Sequence, residues 1–156
     1  MTESPARRLI AAFVDLVFGH DGRIGRLRYW LGLMAATAIV GFAAGLADGA
    51  VPGTGDIGRY VAFVFIVGLM IWTHSAVTVK RLHDRNRSGL WYFLYGLAPP
   101  VLLLWAIYLH AEKQFDAASP MYVFAALGFF WVTIELGLMR GTAGPNRFGP
   151  HKQRQS

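Results

Sequence analysis

Four long runs of apolar residues alternate with short polar segments along the chain. The runs cover residues 29–47, 60–79, 90–109 and 120–139, and Glu135 is the one formally charged residue within them. About 20 residues at a rise of 1.5 Å per residue cross a hydrocarbon core about 30 Å thick. Buried helices of soluble proteins are usually shorter and keep a polar stripe. The pattern therefore predicts an all-α integral membrane protein with four transmembrane helices.

A shorter segment with helical periodicity precedes the first run. Its apolar positions are Ile10, Phe13, Val14, Val17 and Phe18, and its polar positions are Arg7, Arg8 and Asp15. Residues 5–19 are therefore predicted to form a short amphipathic helix on the inner leaflet, with a disordered basic tail as the alternative. A signal peptide is not expected, because the apolar stretch is short and contains Asp15. Residues 140–156 are predicted to be a cytoplasmic tail, and residues 1–156 a single membrane domain.

Composition favours lipid as the surroundings of this chain. Of its 156 residues, 54% are hydrophobic and 15% are charged, whereas about 25% are charged in a typical soluble domain. The net charge is +6, but the basic residues stand at the ends of apolar runs. A nucleic-acid-binding protein would spread them over a folded polar surface, so we expect no nucleic-acid partner. The chain has no cysteine, which excludes disulfide and thiolate chemistry.

The basic residues also predict an orientation in the membrane. Thirteen lysines and arginines lie before the first run, between the second and third, or after the fourth, and two lie in the other connections. Segments rich in lysine and arginine stay on the cytoplasmic side. Both termini and the loop at 80–89 are therefore predicted to be cytoplasmic, and the loops at 48–59 and 110–119 to face outward.

Two polar side chains and a pair of prolines interrupt the apolar runs. His74 and Glu135 lie about 7 Å and about 6 Å inside the cytoplasmic ends of their helices. An ionisable group in hydrocarbon normally faces a partner or a cavity, so the two could line a proton or cation pathway or form a buried His–Glu pair within it. The alternative, which we favour, is that each reaches water or a loop arginine. Pro99 and Pro100 predict a kink in the third helix.

Three polar segments on the predicted cytoplasmic side contain residues other than the lysines and arginines that membrane topology alone requires. They read GRIGRLRYW at 22–30, KRLHDRNRSGLW at 80–91 and GTAGPNRFGP at 141–150. In this order they resemble the motifs of small bacterial inner-membrane proteins of the YhaH type, a domain of unknown function (number 805). The resemblance covers most of the chain from residue 18 onward. It implies a multi-pass protein of the bacterial inner (plasma) membrane, and it implies no activity.

The motif segments supply a candidate structural or binding cluster. Its members are Arg23, Arg26, Arg81, His83, Asp84, Arg87, Ser88, Asn146 and Arg147. Asp84 is expected to pair with an arginine, either Arg81 of its own turn or one of Arg23, Arg26 and Arg147 from another segment. Ser88 is expected to cap the third helix by accepting its free N–H groups.

Catalysis and metal binding are weakly supported by these segments. Adjacent helical residues point about 100° apart, so His83 and Asp84 cannot form a base and its orienting carboxylate by themselves. His20, His83 and His151 are too scattered to predict a zinc site. We expect no catalytic residue, no metal and no cofactor.

Three functions are compatible with the sequence. The preferred one is a non-catalytic membrane protein whose basic cytoplasmic face binds anionic lipid headgroups or a protein partner. The first alternative is a small transporter or channel that uses His74 and Glu135. The second alternative is an enzyme acting on lipid headgroups at the cytoplasmic face.

Overall fold

Five α-helices make up most of the part of the chain that the structure describes. The computed structural model describes residues 4–50 and 55–150, and the last six residues of the predicted cytoplasmic tail lie outside them. The helices are α1 (Pro5–Phe18), α2 (Arg26–Ala50), α3 (Gly55–Asp84), α4 (Ala98–Ala111) and α5 (Phe115–Val132). A short 3-10 helix (Gly89–Trp91) and a π-helical segment (Phe93–Leu97) lead into α4, and a second π-helical segment (Thr133–Leu138) continues α5. Within the described residues, the one β-type pairing joins Asn146 and Gly149.

Four helical segments are long and apolar enough to cross a membrane. They are Arg26–Ala47, Ile57–Asp84, Gly89–Ala111 and Phe115–Leu138. Large apolar side chains such as Phe42, Phe63 and Leu104 lie on their outer surface, each at least 65% exposed. Side chains of this kind are suited to lipid rather than to water. The predicted fold class, four transmembrane helices preceded by a short helix, is therefore confirmed.

Helix α3 extends further than the apolar run suggested. It continues through Lys80, Arg81 and His83 to Asp84, so the stretch that was expected to be a loop at 80–89 is helical in its first half. Lys80 and Arg81 are buried, with relative exposures of 1% and 0%. The helix does not need to end at the edge of the apolar run, because these polar side chains find partners within the protein.

The two prolines stand where helix geometry changes. The π-helical segment Phe93–Leu97 ends just before them, and Pro99 and Pro100 occupy the first turn of α4. A proline in a first turn removes an N–H group that would have no partner within that helix. Pro99 also packs against α5, at the point where Gly128 has no side chain. The expected irregularity in the third span is therefore a change of helix type at the prolines.

The buried core lies at one end of the helix bundle. It consists of Ile24, Tyr29, Val77, Leu82, Tyr92, Tyr95 and Leu136. Helix α1 joins this end through buried Val17 and through Leu16, which approaches Gly32 of α2. This end of the bundle is also where α2 begins, α3 ends and the chain leaves α5. This cluster of buried apolar side chains thus lies beside the three polar motif segments.

Candidate functional site: the arginine cap

The three motif segments meet at the packed end of the bundle and form a single polar structure. We call it the arginine cap and define it as residues 22–26, 80–88 and 140–149. Arg23 donates hydrogen bonds to the carbonyls of Thr142 (2.8 Å), Gly144 (2.8 Å) and Gly149 (3.3 Å). Its side chain therefore fixes the course of the segment that follows α5, although the two are about 120 residues apart in sequence.

Asp84 is the acidic centre of the arginine cap. Its carboxylate forms ion pairs with Arg81, one turn earlier in α3, and with Arg23 at 3.2 Å. Its backbone carbonyl accepts hydrogen bonds from the amide (2.8 Å) and hydroxyl (3.0 Å) of Thr142. The carboxylate also occupies the space that a side chain at Gly141 would need. Of the four arginines considered as partners of Asp84, the structure selects Arg81 and Arg23.

Three arginines and Trp30 bind carbonyl groups at and just after the end of the last helix. An α-helix leaves its final four carbonyls without internal partners, and cations near that end also interact favourably with the helix dipole. Arg81 donates to the carbonyls of Leu136 (2.7 Å) and Met139. Arg26 donates to Leu138 (3.1 Å), and Trp30 donates to Gly137 (3.3 Å). Arg85 donates to Arg140 at 2.6 Å, so five consecutive carbonyls accept side-chain hydrogen bonds.

Glu135 lies at the side of the arginine cap and is 4% exposed. Its carboxylate forms ion pairs with Arg85 at 2.9 Å and with Arg87 at 3.3 Å. Arg87 in turn lies over the ring of Trp91, at 4.7 Å from the ring centre. Glu135 therefore reaches loop arginines, which is the alternative that the sequence favoured over a buried pair with His74.

His74 has partners of its own. One ring nitrogen lies 2.9 Å from the carbonyl of Met70, and the other lies 3.3 Å from the hydroxyl of Thr37 on α2. Among the described residues, no hydrogen bond or ion pair joins His74 to Glu135. A proton or cation pathway through both residues was the alternative that the sequence did not favour, and in the structure each of the two has separate local partners.

His83 is held by stacking and by one hydrogen bond. Its ring lies parallel to that of Phe148 at 3.9 Å, and one ring nitrogen lies 3.3 Å from the carbonyl of Gly22. Among the side chains that the structure describes, those of residues 4–47 and 57–150, no carboxylate forms a hydrogen bond or ion pair with it. Asn146 donates to the backbone carbonyl of His83 at 2.9 Å, which ties the segment after α5 to the end of α3.

The candidate residues Ser88 and Arg147 make contacts other than those considered from the sequence. Ser88 occupies the residue before the 3-10 helix in an extended conformation, but its side chain makes no capping hydrogen bond. The prediction of a side-chain cap was therefore wrong, and the backbone carbonyl of Ser88 accepts from Trp91 instead, at 3.2 Å. Arg147 donates to the carbonyl of Asn86 at 3.1 Å and does not contact Asp84.

Sequence reasoning left three contributing residues out of the candidate cluster: Lys80, Arg85 and Thr142. Lys80 is buried under α1 and donates to the carbonyl of Asp15. Arg85 binds both Glu135 and the end of the last helix. The signal for Arg85 was its spacing of four residues from Arg81, because residues four apart share one side of a helix.

The arrangement in the described part of the chain is suited to holding structure together. No group of three or more histidine, aspartate or glutamate side chains among residues 4–47 and 57–150 could hold a metal ion. Every described side-chain nitrogen or oxygen that is buried has a hydrogen-bond partner. Hydrogen bonds between ionised partners are about twice as strong as neutral ones, and burial strengthens them further.

The fold and the arginine cap define a class of small multi-pass membrane proteins with four spans and a polar cap built from three separate segments. The chain belongs to the family described as protein of unknown function (DUF805), whose model matches residues 17–150. The family predicted from the three motifs is therefore confirmed. The chain is 36% identical over 140 residues to uncharacterized protein YiiR of Escherichia coli K12, and equally so to that of strain O157:H7. In each case the match covers 88% of both chains. No solved structure matches this chain.

Proposed function

We propose that this chain is a non-catalytic protein of the bacterial inner membrane whose basic cytoplasmic face binds anionic lipid headgroups. The observation that carries the proposal is that the basic residues fall into two groups, one buried and one exposed. Arg23, Lys80 and Arg81 are buried and bind protein groups. The other described basic residues in and beside the arginine cap are exposed or partly exposed.

The exposed or partly exposed basic residues in and beside the arginine cap are called its rim. Among the described residues the rim consists of Arg7, Arg8, Arg26, Arg28, Arg85, Arg87, Arg140 and Arg147. Each lysine or arginine near an anionic membrane surface contributes roughly 1 kcal/mol to association. A rim of this size therefore favours anionic lipid without any catalytic group. An acidic protein surface is the alternative partner, and the experiment below distinguishes it.

The enzyme hypothesis has less support. His83 would need a carboxylate to orient it as a general base, but its ring stacks on Phe148 and contacts a carbonyl. Asp84 is engaged by two arginines. The transport hypothesis also has less support, because His74 and Glu135 each have separate local partners.

The experiment is to measure how anionic lipid stabilises the purified protein in detergent. We expect added phosphatidylglycerol to raise the melting temperature more than phosphatidylcholine does, because lipid that binds the folded state stabilises it. Changing Arg7 and Arg28 together to glutamine should reduce this difference. Arg59→Gln is the matched control, since Arg59 is exposed but lies near the opposite end of α3.

Two results would reject the proposal. One is equal stabilisation by the two lipids in the unchanged protein. The other is an equal loss in the double variant and in Arg59→Gln. Stabilisation by an acidic polypeptide such as polyglutamate, without any effect of phosphatidylglycerol, would instead support a protein partner.

A further inference from the structure

The ion pairs around Glu135 leave an excess of positive charge at one place on the rim. One carboxylate, 4% exposed, faces two arginines. The side chains of Arg85 and Arg87 are 20% and 33% exposed, so both reach the surface of the protein. An arginine carries five N–H donors. Both arginines reach the same oxygen of Glu135, Oε1, and Arg85 also donates to the carbonyl of Arg140 and to the sulfur of Met139. Donors of both arginines therefore remain available to a ligand from outside.

Arg140 adds a third cation beside this pair. Its backbone carbonyl accepts a hydrogen bond from Arg85 at 2.6 Å, which places residue 140 next to the arginine pair. Its side chain is exposed and has no hydrogen-bond or ion-pair partner among the described side chains of residues 4–47 and 57–150. The cluster of Arg85, Arg87 and Arg140 thus carries three positive charges against the single charge of Glu135.

An apolar surface begins directly beside the cluster. Arg87 lies over the ring of Trp91, which is 40% exposed, and Leu90 and Phe93 are 75% and 64% exposed. These residues open the span Gly89–Ala111 and face the region where lipid chains lie. Tryptophan is favoured at the boundary between headgroups and hydrocarbon. The cluster therefore joins a cationic patch to an apolar surface at headgroup depth.

We propose that Arg85, Arg87 and Arg140 form a specific site for one anionic phospholipid, with its phosphate on the guanidinium groups and an acyl chain along Leu90 and Trp91. This inference rests on the proposed function and names the ligand and the residues of one site within it. Guanidinium groups bind phosphate oxygens through paired N–H donors. Glu135 has a positioning role, because it holds Arg85 and Arg87 side by side before the lipid arrives.

The charge balance predicts selectivity for anionic lipid. A zwitterionic headgroup brings its own cation into a patch that already has an excess of positive charge, so it should bind less well. A soluble phosphate would meet the guanidinium groups but would leave the apolar surface beside Trp91 uncovered. The lipid is therefore the expected ligand, and free phosphate is a competing source that the experiment must separate.

The test is a titration of the purified protein with phosphatidylglycerol, followed by native mass spectrometry to obtain the dissociation constant of the first bound lipid. Arg140→Gln is the principal variant, because its side chain makes no contact that the described fold uses. We expect it to weaken the first binding event about fivefold, as for the loss of one basic residue at an anionic surface. Arg87→Lys keeps the charge facing Glu135 but loses the paired donors, so it should also weaken binding.

Arg28→Gln is the matched control, because it removes the same charge from another exposed position on the rim. Because Arg28 belongs to the rim but not to the proposed site, its loss should weaken the first binding event clearly less than the loss of Arg140 does. In the unchanged protein, phosphatidylcholine should bind more weakly than phosphatidylglycerol, and millimolar inorganic phosphate should not displace the bound lipid. Displacement by inorganic phosphate would overturn the assignment to lipid.

Equal behaviour of Arg140→Gln, Arg87→Lys and Arg28→Gln would overturn the specific site. If phosphatidylglycerol still stabilised the protein more than phosphatidylcholine, the proposed function would survive that result. If the variants did not differ and phosphatidylglycerol also stabilised the protein no more than phosphatidylcholine does, the site and the proposed function would both be rejected. The melting temperature of each variant without lipid shows whether a loss of binding reflects a loss of folding.

Discussion

At the scale of single residues, Asp84 connects all three segments of the arginine cap. Its carboxylate faces Arg23 and Arg81, and its carbonyl binds Thr142. A buried ion pair stabilises a fold only when its remaining polar atoms are also satisfied, and its loss leaves uncompensated charge. Asp84 is 6% exposed and the side chain of Arg23 is 2% exposed. Removing this carboxylate therefore leaves two cations in a site with little access to water.

We predict that Asp84→Ala destabilises the protein by about 3–5 kcal/mol, the range for breaking a buried ion pair. Asp84→Asn keeps the shape and should cost less. His83→Gln is the comparison, because glutamine can still donate to the carbonyl of Gly22 and loses the stacking on Phe148, worth about 1 kcal/mol. Thermal unfolding and protease sensitivity in detergent measure these effects. If Asp84→Ala left the stability unchanged while His83→Gln abolished a cellular phenotype of the protein, a chemical role for the histidine would be favoured.

The sequence predicted the kind of partner for Asp84 but not its identity. Four arginines had suitable charge, and charge alone does not separate them. The structure assigns Arg26 to the carbonyl of Leu138 and Arg147 to that of Asn86. Backbone carbonyls are present at every residue, so the sequence gives no sign of which ones a helix end will leave free. The failed cap at Ser88 has the same origin, because residue type indicates capacity to cap and not the local geometry.

At the scale of elements, α1 differs from the other helices in how it is attached. Its final turns are held by Lys80, which donates to the carbonyl of Asp15, and by Trp72, which donates to that of Phe18 at 3.2 Å. Farther toward the N-terminus, Ile10, Phe13 and Val14 are 47–64% exposed. An amphipathic helix with an exposed apolar side is suited to the boundary between headgroups and acyl chains.

We predict that a charge on the apolar side of α1 releases the helix from lipid. Phe13→Asp should increase the rate of trypsin cleavage at Arg7 and Arg8 in lipid nanodiscs, where both membrane faces are accessible. Ala11→Asp places the same charge on the polar side and should have little effect. Limited proteolysis followed by mass spectrometry measures the two rates. Equal rates in both variants would show that the apolar side of α1 does not lie in lipid.

Hydrophobic periodicity predicted the number and the type of elements better than their ends. The four spans follow from run length, because only a helix of about 20 residues satisfies its backbone across hydrocarbon. The continuation of α3 to Asp84 was not predictable from hydropathy, since Lys80 and Arg81 are polar but buried. The π-helical segments at Phe93–Leu97 and Thr133–Leu138 depend on packing between spans. Local sequence does not specify that packing.

At the scale of the whole molecule, the two ends of the helix bundle differ in polarity. The buried core, the ion pairs and the hydrogen bonds of the arginine cap are concentrated where the three motif segments meet. The sequence anticipated this distribution because the basic residues are grouped into alternate connections. The same grouping underlies the proposed orientation, since the rim can bind the anionic inner leaflet only if this end is cytoplasmic.

The proposed orientation predicts which positions react with a reagent that cannot cross the membrane. The chain has no cysteine, so a single introduced thiol reports its own side of the membrane. Ala117 begins α5 at the end away from the arginine cap, and Ala143 lies in the segment after α5; both are exposed. We expect Ala117→Cys to react in intact spheroplasts and Ala143→Cys to react only after lysis. The unchanged chain, without any thiol, is the control for background labelling. Labelling of Ala143→Cys before lysis, with protection of Ala117→Cys, would place the arginine cap outside and remove the anionic inner leaflet as the partner of its rim.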